Sequence, residues 1–246
     1  MDCDKRMNLF DEMITNICGQ LNHIAAMEEA RLEKLSRAWP DAGGHHMILG
    51  KETAYELGGQ NTLGLSGCLC TAKPLLAPQG VYLYGNDLTQ ISESQSYARI
   101  VFLQVAANTD EEALYRKIRE IDYVRYHIHP EGFMARISPV SQREPVRISK
   151  KALKKNISFS DIGQMYLERY LKISQVRNVN VIFVTHRDFD YRALEEMLGR
   201  AEQITQSLNH IFTSLNMDCG TCHLKTVCDE VEGLRELHFG QKNHRS

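Results

Sequence analysis

The chain has 246 residues, 43% of them hydrophobic and 24% charged, with a formal net charge of −2. These are the proportions of an ordinary globular protein with enough apolar residue for a packed core, organised as one large or two small domains. The small net charge favours no particular partner, a nucleic-acid role would need a local basic face, and no apolar run reaches the ~18–20 residues of a membrane helix.

The opening "MDCDKRMNLFDEM" is acidic and polar where a secretory signal is basic and then apolar. The expectation is a cytoplasmic protein with no nucleic acid and no membrane among its partners. Leu9, Phe10, Met13, Ile14, Ile17, Leu21 and Ile24 recur at three- and four-residue steps and predict an amphipathic helix. Its pattern weakens through Leu32 and Leu35 and stops at "WPDAGGHH". Its apolar stripe is expected to dock on the chain's own core, with a homodimer through this helix as the alternative.

From Gly50 to Pro78 the chain is glycine-rich and reads as irregular, a flexible loop carrying Cys68 and Cys70. "GVYLYG" and "ARIVFLQVAA" then read as strands, the second buried on both sides. Residues 109–128 read as a helix opened by Thr109, with acids in its first turn. "SFSDIGQMYLERYLKISQ" reads as a helix capped by Ser160, "NVNVIFVTH" as a strand, and "DFDYRALEEMLGRAEQITQSLNHIFTSLN" as a long closing helix. The fold expected is α+β: a mixed sheet with packed helices, an N-terminal amphipathic helix and a C-terminal cysteine-containing tail. The segments are residues 1–40, a domain over 41–216, and a tail over 217–246.

That tail carries three of the seven cysteines, Cys219, Cys222 and Cys228, at C-x2-C-x5-C. In a reducing compartment clustered cysteines point to metal before disulfides. Thiolates are soft ligands that favour zinc or iron–sulfur clusters, and a C-x2-C pair converges from one tight turn. Candidates for a fourth ligand are His223, His238, and Cys68 or Cys70; the alternative is thiols that hold nothing. Cys68-Leu69-Cys70 could wrap a square-planar nickel through its thiolates and the amide between them, or be inert. His45-His46 and the alternating His127 and His129 read as solvated or structural histidines. Between Arg136 and Lys155 stand Arg136, Arg143, Arg147, Lys150, Lys151, Lys154 and Lys155. Such a cluster suits a phosphate-bearing ligand held by charge-assisted hydrogen bonds, or else forms a solvated helix face. No phosphate-binding Gly-rich loop, dinucleotide fingerprint or nucleophile elbow is present.

"ILGKETAYELGG", "YGNDLTQI", "HPEGFMARI", "QREPVRISKKALKKNISFSDIGQMYLERY", "NVNVIFVT" and "CGTC" after a long helix stand in one order. From about His46 onward, that order resembles the nickel–iron–sulfur acetyl-CoA synthase, the beta subunit of the archaeal acetyl-CoA decarbonylase/synthase and part of the carbon monoxide dehydrogenase complex. The resemblance covers that family's middle region and the start of its metal-site region. It implies a CO-methylating transferase of anaerobic one-carbon metabolism, in which a corrinoid-borne methyl group, carbon monoxide and coenzyme A become acetyl-CoA. It also implies carbon monoxide dehydrogenase or corrinoid protein subunits as partners.

By the same resemblance, Cys219 and Cys222 match the first two cysteines of the iron–sulfur ligand set. Cys228 matches the third at a shorter spacing, and His238 stands where the family has its fourth. Arg143, Arg147 and Lys150 lie in the region where the family contacts coenzyme A. The family's nickel-binding Cys-Gly-Cys lies downstream of Ser246, so Cys68 and Cys70 or another subunit would have to supply what the matching residues lack. Three readings follow: a shortened acetyl-CoA-synthase-like protein with an iron–sulfur or nickel–iron–sulfur centre, incomplete as a stand-alone catalyst; an accessory or metal-delivery protein for such an enzyme; and a zinc-stabilised structural relative.

Overall fold

A five-stranded mixed sheet runs through the protein in the order β1-β4-β8-β5-β3, with a smaller antiparallel sheet, β2-β7-β6, at one end. The structure, a computed structural model, describes residues 9–28, 30–32, 37–44, 46–59, 61–106, 118, 121, 123–138, 141–213 and 222–230. The strands are β1 (Ala30–Leu32), β2 (Thr53–Leu57), β3 (Gly64–Thr71), β4 (Gly80–Tyr84), β5 (Tyr97–Val105), β6 (Phe133–Ala135), β7 (Val146–Ser149) and β8 (Val176–Val184). The helices are α1 (Asp11–Glu28), α2 (Lys150–Lys154), α3 (Phe159–Leu171), α4 (Tyr191–Thr213) and α5 (Lys225–Glu230). The fold is α+β, as the sequence pattern predicts.

The middle of the large sheet is apolar because both faces are covered. β5 and β8 pair antiparallel, with β3 parallel to β5 on one flank and β4 parallel to β8 on the other. Register puts Cys68, Val101, Val181 and Val81 in one row and Gly67, Ile100, Ile182 and Tyr82 in the next. Successive side chains of a strand face opposite ways. A Cβ on Gly67 would strike Leu198 of α4, and one on Gly163 of α3 would strike Val81. Thus α4 covers the Gly67 face and α3 the Cys68 face. Helix α1 lies beside α4, where Asp11 accepts a hydrogen bond from Thr71 at 2.6 Å. Phe10, just before the helix, and Met13, Ile14, Ile17 and Leu21 within it are buried in the common core, which is the own-core docking expected of that stripe.

Four expectations change. Helix α1 ends at Glu28, and the chain then adds β1 to the sheet edge through pairing with β4. The segment expected to be irregular contains β2 and β3. Cys68 and Cys70 are therefore rigid strand residues rather than parts of a flexible loop, Cys70 buried and Cys68 half-buried. The basic stretch is the strand β7 and the short helix α2, not one helix face. Finally, α3 is capped by Ser158: its hydroxyl accepts from the Asp161 amide (3.1 Å), and Asp161 returns the bond to the Ser158 amide (3.0 Å). This reciprocal capping box satisfies two helix-start donors; Ser160 is buried inside the first turn. Of the helix expected over 109–128, Thr109 and most of its length lie outside the described residues, as do the side chains of Ile24 and Leu32, and Leu35. Ile118 and Ile121 are buried.

Two features tie the small sheet to the large one. Tyr97 of β5 stacks on Phe159 of α3 (centroids 6.0 Å apart) and meets Phe133 of β6 edge-on (6.4 Å). Beside it, Arg99 (1% exposed) forms a two-pronged ion pair with Glu144 (0% exposed), which immediately precedes the Pro145–β7 entry. The Glu144 amide also donates to the Gly64 carbonyl at 2.8 Å. Desolvation alone would depress the Arg99 pKa, but the Glu144 carboxylate more than offsets it and holds the guanidinium charged. The guanidinium also lies 4.1 Å over the ring of Tyr166.

Candidate functional site

At the far end of the small sheet, three segments enclose a pocket of about 480 Å³. One is the loop from His46 to Glu52, the second is the turn at Glu131 and Gly132, and the third runs from Ser149 through α2. The turn is held tightly. The Glu131 amide donates to the Pro40 carbonyl (2.9 Å), and the Glu131 carbonyl accepts from the Trp39 indole (2.8 Å). The Gly132 amide donates to His46 Nε2 at 3.1 Å. Gly132 has φ +82°, and a Cβ there would meet Ala152 and the Ser149 hydroxyl, so only glycine lets this turn sit against the start of α2. Ser149 Oγ is itself occupied, accepting from the Ala152 amide at 3.0 Å.

Four lysines line the pocket: Lys51, Lys150, Lys151 and Lys154. Lys150 Nζ donates to the Lys51 carbonyl (3.1 Å). Lys151 lies 3.8 Å from Glu131, which is held more closely by Lys155 at 2.9 Å. The hydrogen bond from Lys155, with the charges of Lys155 and Lys151, keeps the Glu131 carboxyl below its ordinary pKa. Glu52 is engaged with the Leu49 amide at 3.1 Å. Among the described residues Lys51, Lys150 and Lys154 have no carboxylate within ion-pair distance. The pocket therefore offers unneutralised ammonium groups in a concave setting, with the exposed side chain of Met47 in its lining. That is the chemistry of an anion site next to an apolar side chain.

The three cations singled out in sequence do not converge. Lys150 lines the pocket. Arg147 lies along the small sheet, its Nε donating to Glu56 at 2.6 Å and its Nη1 to the Ile48 carbonyl at 3.3 Å. Arg143 reaches the other way and pairs with Glu195 of α4 at 2.6 Å. Lys51 and Glu131, which sequence reasoning missed, come from segments far away in the chain and carry no local pattern. His46 serves as a backbone acceptor, and His127 packs edge-on against Tyr123 (4.7 Å); His45 lies outside the described residues.

The cysteine tail is described in part. Cys222 precedes α5, its carbonyl accepting from the Lys225 amide (3.1 Å), and Cys228 lies within α5, its amide donating to the Leu224 carbonyl (3.1 Å). Val227 is buried, and Glu230 reaches Arg200 of α4 at 3.3 Å, so this turn–helix unit is seated on α4. His223 is exposed. Cys219 and His238 lie outside the described residues. Cys68 and Cys70 face the α3 side of the sheet, opposite α4, and no three His, Cys, Asp or Glu side chains gather as a metal site among the described residues. The two described tail thiols suit a soft metal in kind; the strand thiols do not join them. Among the described residues no helix is long and apolar enough to cross a membrane. No protein-family model and no curated protein compared with the chain matches it.

Proposed function

We propose that the lysine pocket binds a phosphate-bearing ligand, coenzyme A first, in an acetyl-CoA-synthase-like protein whose tail holds an iron–sulfur or nickel–iron–sulfur centre. The observation that carries this reading is the set of Lys51, Lys150 and Lys154 ammonium groups, without carboxylate partners among the described residues, in one concavity. Phosphate oxygens accept strong charge-assisted hydrogen bonds from such groups, and the exposed Met47 in the lining suits the non-phosphate part of the ligand. Cys219, Cys222 and Cys228, with His238, are the residues assigned to the metal. Bound there, the centre would supply the metal at which a methyl group, carbon monoxide and a thiol are joined. Carbon monoxide dehydrogenase or corrinoid subunits are the partners this reading assigns.

The test is calorimetric titration of coenzyme A into the full chain. Lys150→Ala and Lys154→Ala are each expected to weaken binding by about tenfold or more, the net worth of one charged hydrogen bond. Arg143→Ala, which breaks a distant ion pair, leaves it unchanged. Absence of binding by the wild type, or equal loss in all three variants, refutes the pocket assignment. For the tail, anaerobically purified protein is expected to contain iron and to absorb broadly in the visible range. Serine at positions 219, 222 and 228 abolishes both, and an unchanged metal content in that variant rejects the tail as the site.

A further inference from the structure

We propose that Arg37 is a positioning residue of the lysine pocket, a clasp that fixes α2 and the Glu131 turn against each other so that their lysines meet one anion. The inference rests on the reading of this pocket as a phosphate site. Arg37 is not in the lining itself. Helix α2, which carries Lys150, Lys151 and Lys154, is only five residues long, too short to be held by its own hydrogen bonds. Any tilt of it moves those ammonium groups. Its end runs into Asn156, whose φ of +56° turns the chain out of the helix. Arg37 grips that turn. Its Nη1 donates to the Lys155 carbonyl at 3.2 Å and its Nη2 to the Asn156 carbonyl at 3.0 Å. Nη2 also donates to Asp161 Oδ2 at 2.7 Å. The Asp161 side chain is 0% exposed and belongs to the capping box of α3, so the guanidinium ties the end of α2 to the fixed start of the next helix.

The opposite wall is tied to the same side chain. The guanidinium lies 4.8 Å over the Trp39 ring, and the Trp39 indole donates to the Glu131 carbonyl at 2.8 Å. The Glu131 carboxylate accepts from Lys155 Nζ at 2.9 Å, and the Lys155 carbonyl leads back to Arg37. Arg37, Trp39, Glu131 and Lys155 therefore close a ring of contacts that joins the strap of residues 37–44, the turn and the end of α2. Arg37→Lys would not close it, because an ammonium sends its donors from one atom, whereas the planar fork presents separate nitrogens to the two carbonyls. The Arg37 side chain is 46% exposed, so replacing it leaves the apolar core in place.

The decisive measurement titrates inorganic phosphate into full-length wild type, Arg37→Ala and Arg37→Lys, following the lysine side-chain signals by NMR, with urea denaturation of each protein alongside. Arg37→Ala is expected to weaken phosphate binding about tenfold, the loss that follows when the competent arrangement falls to about one molecule in ten. Arg37→Lys keeps a cation for Asp161 and with it most of the stability, yet it weakens phosphate to a similar degree; a merely structural arginine would recover affinity together with stability. Coupling is reciprocal, so saturating phosphate should slow amide exchange in the wild type at Glu131 and Ala42, which donate to Pro40 (2.9 Å) and His129 (2.7 Å). Should Arg37→Ala fail to fold, Arg37→Lys decides by itself. If the wild type binds phosphate but a folded variant binds it equally well, or exchange at Glu131 and Ala42 does not respond, the role of Arg37 is overturned while the pocket assignment stands. If the wild type does not bind phosphate, both fall.

Discussion

Removing the Glu144 carboxylate should expose how strongly the small sheet depends on one buried charge pair. Arg99 and Glu144 are 1% and 0% exposed, and the guanidinium is held by both carboxylate oxygens. Glu144→Ala strands that cation where water does not reach, so a cost of about 3–5 kcal/mol is expected, as for other buried pairs broken on one side. Against a total stability of about 5–15 kcal/mol for a domain, this is a large loss. Arg99→Met combined with Glu144→Leu removes both charges and keeps apolar volume, and it should recover most of the stability. Urea denaturation followed by circular dichroism supplies the midpoints, with an unchanged slope marking a change in stability and not in compactness. A cost below about 1 kcal/mol for Glu144→Ala, or a double variant no better than the single one, would refute the reasoning. The pair also sits at the entrance to β7, which delivers Ser149 and Lys150 to the pocket, so the single variant should show faster amide exchange in β7 before global unfolding.

Two further outcomes are expected. Gly163→Ala should destabilise the protein by about 1–3 kcal/mol, because its methyl would overlap the stiff, β-branched Val81, and the gain in helix propensity of about 1 kcal/mol does not offset that overpacking; a more stable variant in urea would reject the packing argument. Asp87→Asn concerns a carboxyl whose pKa is raised chiefly by desolvation, and further by Asp161, against the opposing amides of Phe159 and Leu88. A raised pKa contributes stability that is present below the ordinary value of 3.8 and lost as pH rises through the folded-state value. Both amides donate to Oδ1, which asparagine retains, so the variant should be as stable as the wild type or more so at pH 7 and should lack that part of the pH dependence. A variant clearly less stable at pH 7 than at pH 4, relative to wild type, would reverse the sign and disprove it.

Local apolar patterning alone marked β4, β5, β8, α1 and α4: the helix α1 by a stripe that repeats every three or four residues, and β5 by a continuous apolar run that the sheet buries on both faces. It did not mark β3. Glycine, serine and cysteine at 66–68 have little strand preference, and the segment is a strand because β5 offers a parallel edge and Leu198 fills the space over Gly67. The helix cap was misplaced by two residues because Ser158 and Ser160 look equivalent until the Asp161 side chain is seen returning to one of them. The chemistry of the tail, three closely spaced thiols, was legible as composition. The basic stretch was legible as charge, yet Arg143, Arg147 and Lys150 separate in space because the chain passes from a bridge beside β3, through a strand, into a helix. Lys51 and Glu131 join Lys150 only through the small sheet and the strap from Arg37 to Gly44. Periodicity reports which face of an element meets the core, whereas a site depends on which distant side chains the packed core carries to the same place, and that is decided by tertiary contact.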